Sequence, residues 1–321
     1  MTKIAVLDDW QGIAEQSADW AALATRAEIR FFRDQPQDED TLAARLSEFD
    51  VLMAMRERTA FPASLVRRLP ALRLFSLTGH RAAAVDMDAL RAQGVTITVT
   101  DGGGSGTATA ELALGLMLAG ARNIARADAS MRQGRFQTDV APGYELAGKT
   151  LGIIGLGKLG RLMARYGIAL DMKVLAWSQN LTEEAAATAG VQWVDKDMLL
   201  AESDVVSLHL VLSARTRGLI GAAELARLRP GALLINTSRG PLVDEPSLIA
   251  ALETGRIQAA LDVYAHEPLP ADHPFRRLPN TVLTPHLGYG TVATFQDFYR
   301  QSIENVIAFL DGVPIRMLAP V

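Results

Sequence analysis

The chain has 321 residues, which corresponds to about two domains of ordinary size. Its 49% hydrophobic and 21% charged residues exclude a disordered chain, and its net charge of -4 argues against a nucleic-acid-binding or anionic-membrane-binding surface. It has no cysteine, which excludes disulfides, thiolate catalysis and cysteine-ligated metal sites. The N-terminus lacks a signal-peptide core, and the apolar stretch 112–121 is shorter than the roughly 20 residues of a membrane span. We therefore expect a soluble cytoplasmic protein.

The first part of the chain alternates strand-like and helix-like patterns. Short apolar runs of the buried-strand type recur with helical stretches between them, at 3–8, 28–32, 50–55, 72–77 and 95–99. Such alternation indicates βαβ units and a parallel sheet.

The next segment contains the glycine-rich loop 100–106, in which Gly102–Gly106 is a hinge, a cofactor-facing loop or a plain flexible linker. Residues 108–134 follow, with good helix formers, apolar residues at helical spacing and no proline, so they predict one long helix.

The rest of the chain begins a second alternation and ends in a helix. The predicted strands are 150–156, 173–177, 204–210, 232–237, 259–263 and 281–285. This series indicates a second doubly wound domain. Thr291–Leu310 is amphipathic and predicts a terminal helix, either capping this domain or returning to the first.

A GxGxxG sequence joins the first strand of the second series to a helix. Gly155 allows the tight turn, Gly157 lets the backbone approach a pyrophosphate, and Gly160 lets the helix pack on the strand. Amides at the helix start, including those of Lys158 and Leu159, then hold phosphate oxygens. A ligand-free β–α turn is the alternative, but the motif's position between strand and helix favours a dinucleotide site.

The coenzyme preference depends on the end of the following strand. NAD usually requires an acid there to bind the ribose 2′-hydroxyl, and this chain has Ser178 instead. No arginine follows to pair with a 2′-phosphate, although Lys158 or Arg161 is a candidate for that contact. The cofactor is therefore NAD or NADP, with the preference open.

Three polar segments follow buried strands, at 236–245, 260–268 and 284–288. Together with ELAGKTLGIIGLGKLG at 145–160, they resemble the D-isomer-specific 2-hydroxyacid dehydrogenases, and the resemblance spans nearly the whole chain. It implies an α/β fold of two doubly wound parallel-sheet domains. A Rossmann cofactor domain, 100–285, would be inserted into a flavodoxin-like substrate domain, 1–99 and 286–321, to which the terminal helix returns.

By this resemblance, Arg239, Glu267 and His286 are the catalytic residues. The chemistry agrees, because reduction of a 2-keto acid requires a proton for the carbonyl oxygen, and histidine can supply one near neutral pH. Glu267 would orient the imidazole, and Arg239 would bind the substrate carboxylate with its planar fork. Taken singly, each has a structural alternative: His286 as a turn histidine, Glu267 as a solvated loop acid and Arg239 as a strand-end cap.

Further site residues also rest on the resemblance. We expect Asp262 to contact the nicotinamide carboxamide, although a strand-end acid bonded to backbone is the alternative. For His209, on the adenosine side, core packing is equally compatible with the sequence. We also expect Thr107 and Thr237 to contact the cofactor. The loop of Leu77, Thr78 and Gly79 is expected to bind the substrate carboxylate.

The resemblance also bears on partners and on competing functions. It implies a small 2-keto or 2-hydroxy acid substrate, as in glyoxylate or hydroxypyruvate reductases, and a homodimer through the inner domain. The alternative is a non-enzymatic nicotinamide-sensing protein, like the corepressors that share this fold. His80 and Arg81, after the substrate loop, depart from the family pattern and leave the particular acid open.

Overall fold

The computed structural model describes residues 1–36, 38–80, 82–103 and 106–319. They form two compact units, the first containing Met1–Gly106 and Gly290–Val321 and the second Thr107–Tyr289. Arg81 and part of the expected Gly102–Gly106 hinge lie outside the described residues.

The chain passes from one unit to the other at two points, and both lie a few residues later than the expected boundaries at 99 and 285. The loop after residue 99 stays with the first unit, since the amide of Thr100 donates to Leu77 O and that of Asp101 to Gln301 Oε1. Residues 286–289 stay with the second unit because the amides of Leu287 and Gly288 donate to the Asp262 carboxylate.

The first unit contains a five-stranded parallel sheet. Its strands are β1 (Thr2–Val6), β2 (Ala27–Phe31), β3 (Val51–Ala54), β4 (Leu74–Leu77) and β5 (Thr96–Val99). They lie in the order β2-β1-β3-β4-β5, with Ile4 opposite Val51. All residues of β3 and β4 are buried, as expected for strands covered on both faces by helices.

Among the described residues of this unit, six segments are α-helical. They are α1 (Ala14–Ser17), α2 (Ala21–Ala24), α3 (Glu39–Leu46), α4 (Ala63–Val66), α5 (Met87–Ala92) and the C-terminal helix Val292–Leu310. The C-terminal helix begins after Thr291, whose side chain accepts from the amide of Thr294, and it buries Phe295, Phe298 and Val306. It packs on α1 and β4, which confirms that it returns to the first unit.

The second unit contains a seven-stranded parallel sheet. Its strands are β6 (Thr150–Ile154), β7 (Lys173–Trp177), β8 (Gln192–Trp193), β9 (Val205–Leu208), β10 (Leu233–Asn236), β11 (Gln258–Leu261) and β12 (Thr281–Leu283). The order is β12-β11-β10-β9-β6-β7-β8. The sequence patterns did not predict β8, which is only two residues long and exposed. The predicted fold class, two doubly wound parallel-sheet α/β domains, is confirmed.

The helices of the second unit lie between its strands and ahead of β6. They are α6 (Ala108–Arg122), α7 (Ile124–Arg132), α8 (Lys158–Ala169), α9 (Glu183–Thr188), α10 (Lys196–Glu202), α11 (Ala222–Arg227) and α12 (Glu245–Glu253), with short 3-10 helices at Gly240–Leu242 and Pro274–Arg276. Among the described residues, no helix combines the length and apolarity needed to cross a bilayer.

The prediction of one long helix over 108–134 is wrong. Asn123 adopts a left-handed conformation, with φ of 53°, between α6 and α7. Asparagine tolerates this region better than most residues, and its side-chain amide donates to Ala141 O over 2.9 Å. Helical propensity on both sides hid the break, because the contact that stabilises it comes from a loop 18 residues away.

A buried acid at the end of β1 has an unusual environment. Asp8 is 9% exposed, has a φ of 61°, and accepts a 2.7 Å hydrogen bond from the Thr59 hydroxyl. Burial raises its pKa from 3.8 to about 6. Between these values the folded chain binds the proton that the unfolded chain has released, so stability falls as the pH rises through this window.

We therefore expect Asp8→Asn to stabilise the protein at pH 8 but not at pH 3.5. The amide oxygen can still accept from Thr59, while the cost of a buried charge, up to about 3 kcal/mol, disappears. Urea unfolding of both proteins at the two pH values measures the difference. An equal difference at both values would show that Asp8 does not titrate in this way.

Candidate active site

The GxGxxG segment forms the turn between β6 and α8. Gly155 has a φ of 103°, and a Cβ atom there would lie 2.6 Å from His209 O. A Cβ on Gly160 would lie 2.0 Å from Gly155 O, whereas one on Gly157 would meet nothing within 4 Å. At its first and third glycines the turn packs directly on neighbouring backbone, whereas at the second glycine it is open. This arrangement fits a dinucleotide pyrophosphate.

Helix α8 begins directly at this opening. Gly157 is its N-cap residue, and Lys158 and Leu159 are its first two helical residues. The first amides of a helix have no carbonyl four residues earlier to bind, and the helix dipole makes this end favourable for an anion. No acidic residue lies in the first turn, and Lys158 is exposed beside it. The local charge therefore suits phosphate groups.

Ser178 directly follows β7, at the same edge of the sheet as the glycine turn. It is half-buried, and its carbonyl accepts from the amide of Leu181. The first carboxylates after it belong to Glu183 and Glu184, in the first turn of α9. The end of β7 is therefore neutral, as the sequence indicated.

Two polar atoms near strand ends are buried without a hydrogen-bond partner among the described residues. One is Oγ1 of Thr237, directly after β10, and the other is Nδ1 of His209, directly after β9. The other ring nitrogen of His209 lies 2.9 Å from the Ser207 hydroxyl, and burial lowers the pKa of His209 to about 4. A neutral ring and an unsatisfied hydroxyl at this edge are consistent with a polar ligand.

Arg239 lies in a loop that is stabilised by hydrogen bonds from the Asn236 side chain. The Asn236 side chain accepts from the amide of Ser238 over 3.0 Å and donates to Arg239 O over 2.9 Å. The Ser238 hydroxyl anchors the loop to Leu208 O, and the guanidinium of Arg239 donates to Ser238 O over 2.7 Å. The half-buried Arg239 is thus held at the end of β10.

Glu267 and His286 come together at the ends of β11 and β12. Glu267 Oε2 lies 2.6 Å from His286 Nδ1, and Glu267 Oε1 accepts from the amide of Tyr264 over 3.0 Å. Only 18% and 14% of the two side chains are exposed. A carboxylate at this distance acts as acceptor for Nδ1–H, so it sets the orientation of the ring.

Asp262 holds the backbone around His286. Its Oδ1 accepts from the Thr284 hydroxyl over 2.6 Å and from the amide of Leu287 over 2.7 Å, and its Oδ2 accepts from the amide of Gly288 over 2.9 Å. Burial raises the pKa of Asp262, while these hydrogen bonds oppose the shift. The bonds support the left-handed conformation of His286, which has a φ of 54°. Contact between Asp262 and a carboxamide stays a prediction.

The start of α6 also contacts this segment. Thr107, expected beside the cofactor, donates to Glu111 Oε1 over 2.6 Å. Thr109 donates to Gly288 O over 2.9 Å, which ties α6 to the loop of His286. Thr109, Thr284 and Tyr264 were not predicted as site residues, because the side-chain hydrogen bonds that place them there join residues distant in the sequence.

The predicted substrate loop lies in the first unit, at the end of β4. Leu77 is its buried last strand residue. The amide of Thr78 donates to Ala54 O over 3.1 Å, and that of Gly79 donates to Thr100 Oγ1 over 3.0 Å. Both amides have partners within this unit, and the expected role of the loop in binding a carboxylate stays a prediction. The loop packs under Arg56, whose Cδ is 3.0 Å from where a Gly79 Cβ would lie.

No group of three or more metal-binding side chains occurs in the part of the chain that the structure describes. The second unit instead gathers, at one edge of one sheet, an open glycine turn, a positioned arginine and a carboxylate–imidazole pair. This combination can bind an anionic dinucleotide and move a proton.

Comparison with known proteins gives concordant results. Residues 114–288 match the family model described as "D-isomer specific 2-hydroxyacid dehydrogenase, NAD binding domain". The D-3-phosphoglycerate dehydrogenase of Mycobacterium bovis is 38% identical over 272 residues, covering 84% of this chain and 51% of that protein. The glyoxylate reductase of Korarchaeum cryptofilum is 33% identical over 291 residues, covering 89% of this chain and 87% of that protein.

Solved structures agree with these matches. A phosphoglycerate oxidoreductase from Vibrio cholerae has a TM-score of 0.91 and 35% identity, covering 97% of this chain and 100% of its own. The apo D-lactate dehydrogenase of Escherichia coli has a TM-score of 0.82 and 27% identity, over 99% and 100%. This chain spans about half the length of the D-3-phosphoglycerate dehydrogenases that it matches. The family model covers more than half of the chain, and the chain belongs to the D-isomer specific 2-hydroxyacid dehydrogenase family.

Proposed function

We propose that this protein is an NAD(H)- or NADP(H)-dependent dehydrogenase that interconverts a small 2-keto acid and the corresponding D-2-hydroxy acid. The observation that carries the proposal is the 2.6 Å contact between Glu267 and His286, at the sheet edge that also bears the open glycine turn. Membership of the family supports the same activity.

The coenzyme would be held by the second unit. Gly157 and the amides of Lys158 and Leu159 receive its pyrophosphate, and Gly155 and Gly160 shape the turn that presents them. Thr237 and His209 offer buried polar atoms at neighbouring strand ends, and Ser178, directly after β7, would face the ribose. When bound, the reduced nicotinamide supplies a hydride to the carbonyl carbon of the substrate.

His286 acts as the general acid in reduction and as the general base in oxidation. Because Nδ1 lies on the Glu267 carboxylate, the proton for the substrate oxygen comes from Nε2. Glu267 stabilises the protonated ring before transfer and keeps the ring oriented afterwards. Arg239 binds the substrate carboxylate through its planar guanidinium and draws electron density from the adjacent carbonyl.

A steady-state assay of coenzyme oxidation tests this function. NADH and NADPH are each assayed with glyoxylate, hydroxypyruvate and phenylpyruvate. D-3-phosphoglycerate is tested in the oxidative direction, because relatives are named D-3-phosphoglycerate dehydrogenase. Turnover with at least one acid is expected, with loss of activity in a His286→Ala control. Coenzyme binding without turnover on any acid would contradict the proposal and favour a nicotinamide-sensing protein.

Ser178 is expected to leave room for a 2′-phosphate. Ser178→Asp should weaken NADPH binding by at least about 10-fold and leave NADH binding nearly unchanged, because a carboxylate repels the phosphate but accepts from a ribose hydroxyl. Titration of protein fluorescence with each coenzyme measures both dissociation constants. Asn180→Asp, two residues further in the same turn, is the matched control, and equal effects of the two variants would exclude this role for Ser178.

We also propose that the protein forms a homodimer through the second unit. The observation in favour is the apolar exposure of Ile124, Met131 and Phe136, of which 53%, 54% and 75% are accessible in the single chain. Phe136→Asp is expected to produce monomers, whereas Val313→Asp, at a 69% exposed valine of the first unit, should not. Light scattering that gave the monomer mass of 34.6 kDa for the unmodified protein would contradict the proposal.

A further inference from the structure

A second histidine–carboxylate pair lies in the same unit as Glu267 and His286. His273 Nε2 is 3.2 Å from Glu245 Oε1, and only 14% and 20% of the two side chains are exposed. Glu245 is the first residue of α12, and His273 lies ahead of the 3-10 helix Pro274–Arg276. Neither residue has a part in the chemistry proposed above.

The other oxygen of Glu245 binds the loop that carries Glu267. Glu245 Oε2 accepts from the amide of Ala265 over 3.2 Å, and Glu267 Oε1 accepts from the amide of Tyr264 over 3.0 Å. Two carboxylates therefore accept hydrogen bonds from the successive amides of Tyr264 and Ala265. Glu267 belongs to the same loop as these amides, whereas Glu245 belongs to α12.

The ring of His273 has a hydrogen-bond partner at each nitrogen. Nδ1 of His273 accepts from the amide of Phe275 over 3.3 Å. Nε2 lies 3.2 Å from Glu245 Oε1, so the ring bridges the start of the 3-10 helix and the Glu245 carboxylate. The ring also packs on Phe275, with centroids 4.8 Å apart, and Phe275 lies against Tyr264 at 6.4 Å.

The loop is held on another side by the segment of Arg239. A Cβ atom on Gly240 would lie 2.0 Å from the carbonyl carbon of Tyr264 and 2.6 Å from the amide nitrogen of Ala265. The backbones of the two loops are thus in direct contact, with no room for a side chain. A shift of the Tyr264–Ala265 peptide would move Glu267 and press on the residue next to Arg239.

We propose that Glu245 and His273 are positioning residues, which hold the Tyr264–Glu267 loop so that the Glu267 carboxylate meets His286 at hydrogen-bonding distance. Neither touches the reacting atoms; Glu245 acts through the amide of Ala265, and His273 acts by fixing the Glu245 carboxylate. The inference rests on the proposed roles of Glu267 and His286. Since a misplaced catalytic group costs rate even when binding is intact, the effect should fall on kcat.

The test compares Glu245→Ala with Glu224→Ala. Glu224 is a matched control in the same unit: one of its oxygens accepts from the amide of Gly221 over 3.1 Å, the other binds Lys196 Nζ at 2.8 Å, and 19% of its side chain is exposed. Glu245→Ala should lower kcat about 10-fold or more, with KM and the coenzyme dissociation constant within about 3-fold of the unmodified protein. Glu224→Ala should leave kcat unchanged.

Two further variants and a hydrogen-exchange measurement separate positioning from general loss of structure. Glu245→Gln retains an acceptor for the Ala265 amide and should recover most of kcat, and His273→Leu should show a smaller loss than Glu245→Ala because the Ala265 contact remains. Hydrogen exchange of the peptide spanning 262–269 should accelerate in Glu245→Ala and not in Glu224→Ala.

The outcomes are distinguishable from failure of the proposed function. Absence of turnover in the unmodified protein would overturn the proposed function, and this inference with it. Turnover in the unmodified protein, with equal kcat values for Glu245→Ala and Glu224→Ala, would overturn the positioning role alone. A loss confined to KM would do the same.

Discussion

Replacing His286 with alanine should lower kcat for keto-acid reduction by about 10²–10⁴-fold, the usual contribution of a general acid. Glu267→Gln should cost less, about 10–10²-fold, because the ring remains but loses the charge that favours its protonated form. The physical basis is the 2.6 Å contact between Glu267 Oε2 and His286 Nδ1, in a site where both side chains are largely buried.

The two residues should also behave as one unit. If Glu267 acts only through His286, the double variant should lose no more activity than His286→Ala alone. Steady-state kcat values for the four proteins complete the cycle, with coenzyme binding as a check that each variant is folded. Multiplicative losses would show that Glu267 acts on the substrate independently.

The second large effect is expected at Asp262. Asp262→Asn places a side-chain NH2 where the carboxylate accepts from Leu287, Gly288 and Thr284, so at least one donor must face another donor. A buried donor without an acceptor costs about 1–3 kcal/mol. Because the same bonds support the left-handed backbone of His286, kcat should fall by about 10²-fold as well.

Asp204→Asn is the matched control for this experiment. Asp204 also accepts from a backbone amide, that of Thr150 over 2.8 Å, but it precedes β9 and lies at the opposite edge of the same sheet. Thermal unfolding and kcat are measured for both variants. We expect both to lose stability and only Asp262→Asn to lose activity; an active Asp262→Asn protein would remove Asp262 from the support of His286.

Local sequence patterns were sufficient for every described strand except β8, for the glycine turn and for the family. Parallel strands covered on both faces are continuous apolar runs, and β3 and β4 are buried at every position, so their signal is strong and local. The GxGxxG turn is equally local, since Gly155 and Gly160 are required by contacts within one strand–turn–helix unit and its neighbouring strand. Strand β8 has only two residues and both are exposed, so it gives no continuous apolar run and was not predicted.

Long-range contacts decided the rest. The helix break at Asn123 depends on Ala141, and the segment around His286 depends on Asp262, 25 residues earlier. At the predicted carboxylate loop, the amide of Gly79 donates to Thr100 Oγ1, at the end of the neighbouring strand, a contact that no local pattern indicated. A residue's type shows which hydrogen bonds it is able to make, but the partner that it meets is set by strand order and packing. The sequence therefore determined the classes of element and the candidate catalytic residues, and only the tertiary structure showed the hydrogen bonds that Glu245, His273 and Asp262 make around them.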